Sequence, residues 1–218
     1  MQLLLVRHGE SIGNVTRQLQ KHDEPLTERG RRQAGELASF LADRPDLRVV
    51  YTSPLNRAVE TATIIGAAIG LRPIALPGLA EIDVGKAAGF TFDEWSERDP
   101  ESVRRWREEG IDYVWPGGES GRQLAARTAA EIDRIISAHR LDRGAVVVVS
   151  HGGALAWIIA HLLREPRDRW PTHQLLNCSL TEITIEADEQ AVSFLCHNDT
   201  GHLSPEPEEE AALGQTPE

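Results

Sequence analysis

Gln2-Leu3-Leu4-Leu5-Val6-Arg7-His8-Gly9-Glu10-Ser11 is an apolar run that empties, without a spacer, into a cation, an imidazole and a glycine. It reads as a strand whose carboxyl end carries chemistry, the place where an open α/β sheet puts its reactive groups. A second junction of this kind lies far downstream, where Ala145-Val146-Val147-Val148-Val149 runs into Ser150-His151-Gly152-Gly153. That run is apolar on both faces, which predicts a central strand. Between the two, Tyr51-Thr52-Ser53-Pro54-Leu55-Asn56-Arg57-Ala58 turns from strand to helix and carries an arginine.

Outward from these junctions the chain alternates strand and helix. A loop follows the first strand, ahead of Pro25-Leu26-Thr27-Glu28-Arg29-Gly30. Thr27 is a suitable N-cap for a helix with the stripe Ala34, Leu37, Ala38 and Leu41, and residues 47–52 read as a short strand. The next helix follows Pro54, carries Ala58, Ala62, Ile65 and Ile69 at helical spacing, and stops at Gly70. Residues 73–76 read as a short strand leading to Glu81. From about residue 90 to 118, Trp95, Trp106, Tyr113 and Trp115 are scattered among charges, which predicts a helical insertion. Glu119 or Ser120 starts a long helix bearing Leu124, Thr128, Ile132, Ile135 and Ile136. After the 145–149 strand come a helix over 153–163 and two strands, 179–185 and 191–197, joined by a turn at Ala187-Asp188-Glu189. The expected fold is α/β: three α/β/α layers around a mostly parallel sheet, with the insertion over the active site. Residues 1–203 are expected to form one domain.

At 218 residues and 40% apolar content the chain can build a substantial core. A formal charge of −11 argues against nucleic acid as a partner, although Glu206, Glu208, Glu209, Glu210 and Glu218 lie in the last segment. Residues 204–218, rich in Pro and Glu, are expected to be a disordered acidic tail. No apolar run approaches the ~20 residues of a membrane span, and the start has neither a basic flank nor a small-residue cleavage site, so a cytoplasmic protein is expected. Cys178 and Cys196 lack a CxxC spacing and read as buried thiols.

Arg and His at one strand tip, Arg at a second and His-Gly at a third would converge on one edge of a parallel sheet. A lone His-Gly after a strand is usually a turn, but core packing does not account for three such tips. Phosphoryl transfer needs fixed cations around the phosphate oxygens, an in-line nucleophile and an acid for the leaving oxygen. His8 is the candidate nucleophile, Arg7 and Arg57 are planar bidentate clamps, and His151 is a donor to the same oxygens. Glu81, before Ile82-Asp83-Val84-Gly85, is the candidate proton donor, which on position alone would be a surface carboxylate.

The motifs resemble the histidine phosphatase superfamily, the phosphoglycerate-mutase-like proteins, over most of residues 2–203. Leu5-Val6-Arg7-His8-Gly9-Glu10-Ser11 with Asn14 is similar to the nucleophile motif, and Pro25-Leu26-Thr27-Glu28-Arg29-Gly30 to its sequel. Thr52-Ser53-Pro54-Leu55-Asn56-Arg57-Ala58 with Thr61 resembles the second phosphate motif. Glu81 through Gly85 with Gly89 resembles the acid-bearing segment, and Val149-Ser150-His151-Gly152-Gly153 the second-histidine motif. Asn198-Asp199-Thr200-Gly201-His202-Leu203 is similar to a closing loop of the bacterial phosphatase branch. The resemblance implies a phosphohistidine on His8, with Arg7, Asn14, Arg57 and His151 holding oxygens and Gly152 beside them. It implies Glu81 as acid and then base, a small phosphomonoester as substrate, and no metal or cofactor. Dimers are common in the superfamily, so a homodimer is compatible with it.

After Gly85 the chain departs from these relatives, with Lys86-Ala87-Ala88-Gly89 where an aromatic and an acidic residue are common. Small alanines would leave one pocket wall open and Lys86 would add a cation, unless it is simply a solvated lysine. Lys86 and His202 are therefore candidate substrate-binding residues. A cofactor-dependent phosphoglycerate mutase is the alternative, with Arg104 and Arg105 available to a second anion, although the longer basic segment of the mutases is absent. A binding module for phosphorylated ligands would need neither His8 nor Glu81. His151-Gly152-Gly153-Ala154 looks superficially like an esterase oxyanion loop, but no GxSxG elbow accompanies it.

Overall fold

Leu3, Leu4, Leu5 and Val6 are completely buried, as a strand covered on both faces must be, and they form β1 (Gln2–Arg7). The computed structural model describes residues 1–141, 144–186 and 192–205. From β1 the chain continues through α1 (Ile12–Thr16), α2 (Glu28–Ala42), β2 (Leu47–Thr52), α3 (Asn56–Ile69) and β3 (Ile74–Ala75). Then come α4 (Phe92–Arg98), α5 (Pro100–Glu109), α6 (Gly121–His139), β4 (Ala145–Ser150), α7 (Gly152–Leu162), β5 (Leu180–Ile185) and β6 (Val192–Asp199). The strands pair in the order β3-β2-β4-β1-β5-β6. β1, β4, β2 and β3 run parallel, and β5 is antiparallel to both β1 and β6, so it is the reversed strand of a mostly parallel sheet.

Because side chains alternate across a strand, β1 and β4 feed two cores at once. Leu4, Val6, Val147 and Val149 meet Leu37, Leu41, Ala58 and Ile65 of α2 and α3 on one face. Leu3, Leu5, Val146 and Val148 meet Ile132, Ile135, Leu155 and Ile158 of α6 and α7 on the other. Each such fully buried aliphatic side chain contributes roughly 1.5–3 kcal/mol of transfer free energy. These are the three layers anticipated from the alternation of strand and helix.

The helix ends follow local chemistry. Thr27 Oγ1 accepts from Gly30 N at the start of α2, Gly70 closes α3 at φ +72°, and Ser120 with Gln123 forms a reciprocal cap on α6. The segment read as a loop after β1 instead contains α1, capped reciprocally by Ser11 and Asn14. At Gly30 the start of α2 presses on the loop after β1: a Cβ there would stand 2.0 Å from Glu10 O.

The insertion is helical, as α4 and α5, and gathers Trp95, Val103, Tyr113 and Trp115 around Val84 and Ala87 in a small core of its own. Cys178 is buried and Cys196 only partly so; both are free thiols. The turn expected at 187–189 and the acidic tail from residue 206 lie outside the described residues. Among the described residues no helix is long and apolar enough to cross a membrane.

Candidate active site

Three strand tips meet through the backbone. His8 N donates to Ser150 O at 2.9 Å, and Ser53 N donates to Val149 O at 2.9 Å, so the residues following β1, β2 and β4 are stitched together. His8 and His151 come to a ring separation of 5.1 Å. His8 Nδ1 donates to the adjoining Gly9 O at 2.6 Å, while Arg57 Nε donates to His8 Nε2 at 3.3 Å. The proton is thereby assigned to Nδ1 and the lone pair to Nε2.

Arg57 is anchored from behind, since its Nη1 donates to Lys21 O at 2.9 Å. Burial pushes its guanidinium down to about 10, against the opposing pull of Glu81 and Glu24. Arg7 Nη1 donates to Leu175 O, and burial lowers this arginine too. His151 Nε2 is hydrogen-bonded to Ser53 Oγ at 2.7 Å. Arg7 Nε and His151 Nδ1 are buried without a hydrogen-bond partner, polar atoms that an anion in this place would satisfy.

Glu81 reaches the amino end of α7. Its Oε2 accepts from Gly153 N at 2.9 Å, and its Oε1 from Ala154 N at 3.1 Å and Ile82 N at 2.9 Å. Only glycine at 153 permits this approach, because a Cβ there would stand 2.6 Å from Glu81 Oε1. Each carboxyl oxygen has two lone-pair sites. Oε1 has both engaged, and Oε2 has one left over.

A cavity of about 520 Å³ opens on this group, with Arg7, His8, Glu81 and Gly152 in its lining. Gln18, Gln20, His173 and Gln174 add polar walls. Arg57 and His151 stand behind His8, 1% and 0% exposed.

Burial pushes both imidazoles well below their ordinary value. Arg57 and Arg7 push His8 the same way against the Gly9 carbonyl, and Arg57, His8 and Arg7 do so for His151. The unfolded chain takes up protons near pH 6.5 while the folded one stays neutral, so stability is fully present above that pH. Below it, about 1.4 kcal/mol per histidine is lost for each pH unit, until the folded imidazoles protonate. Denaturant unfolding at pH 7 and 5.5 should show this loss, and His151→Gln should reduce it; a variant as acid-sensitive as wild type would contradict two buried neutral imidazoles.

A sequence profile of the histidine phosphatase superfamily (branch 1) matches residues 3–199. The chain belongs to the histidine phosphatase superfamily. It is 33% identical over 201 residues to phosphoserine phosphatase 1 of Hydrogenobacter thermophilus, covering 90% of this chain and 94% of that one. It is 32% identical over 212 residues to the probable phosphoglycerate mutase GpmB of Yersinia enterocolitica, covering 93% and 95%. The solved alpha-ribazole phosphatase of Shigella flexneri superposes with a TM-score of 0.84 at 27% identity, covering 92% and 97%. The chain spans 40% of the length of mycobacterial relatives that it matches at 39% identity over 150 residues.

Other candidate residues of this histidine phosphatase superfamily member stand outside the cavity lining. Asn14 Oδ1 accepts from Ser11 N at 3.0 Å and from Asn177 Nδ2 at 3.1 Å, so this side chain caps α1. Lys86 is exposed, its N–H donating to Pro116 O, and Ala87 is buried in the insertion core rather than bordering an open wall. His202 stacks on Phe40 at 5.5 Å and is hydrogen-bonded to Cys178 O, the ring in contact with α2. Arg104 pairs with Glu101 and Glu108, and Arg105 with Glu109, all on the exposed face of α5.

Sequence reasoning passed over several residues that shape the site. Asn177 Nδ2 donates to His8 O at 3.0 Å. Thr61, named with the second phosphate motif, accepts from Gly9 N through its Oγ1, a contact the motif did not specify. Arg127, on α6, donates to Gly78 O, Ala80 O and Glu81 O while paired with Glu119, and Glu119 also accepts from Asp83 N. This strut holds the segment that presents Glu81. Ser53, directly before Pro54 in a motif already noted, carried a signal; Asn177 lies in a stretch without local pattern, and Arg127 on a helix whose periodicity marks the apolar stripe but not what its polar residues reach.

Proposed function

We propose that the chain is a metal-independent phosphomonoesterase that works through a phosphohistidine on His8. The observation that carries this reading is the placement of His8, Arg7 and Glu81 on one cavity, with Arg57 and His151 behind the imidazole. A phosphate monoester in the cavity draws the Arg57 guanidinium from His8 Nε2 to a phosphate oxygen, freeing the lone pair. Nε2 attacks phosphorus, the P–O bond to the alcohol breaks, and the leaving oxygen takes a proton from Glu81 Oε2. Water then attacks the phosphorus while Glu81 recovers a proton from it, and the P–N bond breaks, restoring His8 and releasing inorganic phosphate. Arg7 and Arg57 supply the positive charge that a metal ion supplies elsewhere, with His151 as a neutral hydrogen-bonding partner.

Hydrolysis is favoured over mutase chemistry because Arg104 and Arg105, the cations suited to a second phosphate, are paired along α5. Phosphate release from 4-nitrophenyl phosphate in the presence of EDTA tests this reading, alongside 3-phosphoglycerate isomerisation with and without 2,3-bisphosphoglycerate. Chelator-resistant release is expected. Bisphosphoglycerate-dependent isomerisation with no net phosphate release would replace the hydrolase with a mutase.

A further inference from the structure

A second hollow, of about 320 Å³, adjoins the cavity. Leu19, Ile82 and Val84 wall both, and the smaller one is completed by four aromatic rings, Phe92, Trp106, Trp115 and Trp170. No charged side chain lines it. The rings are held by other rings: Phe92 meets Trp106 edge-on at 5.1 Å, Tyr113 meets Trp115 at 5.4 Å, and Trp157 meets Trp170 at 5.8 Å. Trp170 also lies against Gly121, where a Cβ would stand 2.7 Å from its ring. The walls are thus preformed, a condition that spares a ligand the cost of ordering them. Phe92, Trp106 and Trp170 are only partly buried, so part of this aromatic surface faces water.

We propose that this hollow is the subsite for a flat apolar ring on the alcohol half of the substrate, joined by a short chain to the phosphorylated oxygen. The proposal rests on the phosphomonoesterase reading and names its substrate class. Continuity decides the occupant: a group filling the hollow shares the Leu19, Ile82 and Val84 wall with whatever occupies the cavity beside His8 and Glu81. Three tryptophans and a phenylalanine stack on a ring better than on a branched chain.

The test compares ethyl phosphate with 2-phenylethyl phosphate, whose leaving groups are both primary alkoxides, so that a difference reports binding of the ring. In parallel, titration calorimetry on the wild-type protein, Trp106→Ala and Trp170→Ala compares ethylphosphonate with 2-phenylethylphosphonate, which cannot be hydrolysed. A preference of about 10- to 100-fold for the phenyl compound is expected in kcat/KM and in Kd, the yield of burying one apolar ring. Trp106→Ala should cut it to less than threefold. A wild-type ratio near one in both measurements overturns the subsite. A high ratio left intact by both Trp106→Ala and Trp170→Ala also overturns it, because the ring then binds elsewhere. If neither ester is hydrolysed but the phosphonate preference stands and falls with Trp106, the hydrolase reading fails and the subsite holds.

Discussion

His8→Ala should lower kcat for phosphomonoester hydrolysis by on the order of 10⁴-fold or more, the scale at which removal of a covalent nucleophile is felt. The substitution removes Nε2, the atom that Arg57 Nε approaches, and leaves the backbone contacts of residue 8 to Ser150 in place. Arg7, Arg57 and His151 are untouched, so inorganic phosphate should still bind while turnover disappears. The decisive readout is enzyme quenched in alkali after mixing with ³²P-labelled substrate, then split between acid and base incubation. Wild type should carry acid-labile, base-stable label, and His8→Ala none. Turnover within tenfold of wild type, or label retained in the variant, would transfer the nucleophile's role to another group.

Glu81→Gln should reduce kcat by about 10²- to 10⁴-fold for alkyl phosphates, whose alkoxide needs a proton as it leaves. For 4-nitrophenyl phosphate, whose leaving group is stable without one, the drop should be much smaller. This contrast separates proton transfer from damage to the fold. The control matters because glutamine cannot reproduce every contact. Three N–H groups point at the two carboxyl oxygens of Glu81, and an amide NH₂ in place of Oε2 would face the Gly153 N–H as donor against donor. Some loss of thermal stability is therefore expected alongside the kinetic effect. An equal loss of rate on alkyl and aryl esters would argue for a purely structural part for Glu81.

Much of the fold was legible because it rests on local periodicity and punctuation. The all-buried β4, the Thr27 and Ser120 caps and the Gly70 stop each announce themselves within a few residues. The short helix α1 did not, because its capping pair Ser11 and Asn14 also fits a turn and five residues are too few for a periodic stripe. In the site, the strand-tip residues His8, Arg57 and His151 were accessible to a reader, since an α/β sheet sends consecutive strand ends to one edge. Lys86 and His202 were not, because the same sequence permits a side chain to face the cavity, solvent or another helix. Tertiary packing turned Lys86 to solvent and His202 onto Phe40.

What the sequence by itself determined is the layered α/β scheme and the chemical kit at its strand tips, because hydrophobic period and abrupt polar endings are properties of contiguous residues. Only the tertiary structure decided how that kit is armed. Gly9 O assigns the His8 proton, Gly153 admits Glu81 to the start of α7, and Arg127 with Glu119 braces the Glu81 segment from another helix. Tertiary packing also brought Trp170 opposite Trp106, more than sixty positions apart in the chain, to wall the aromatic hollow. Contacts between residues so distant are fixed by how the layers stack, and no local pattern records them.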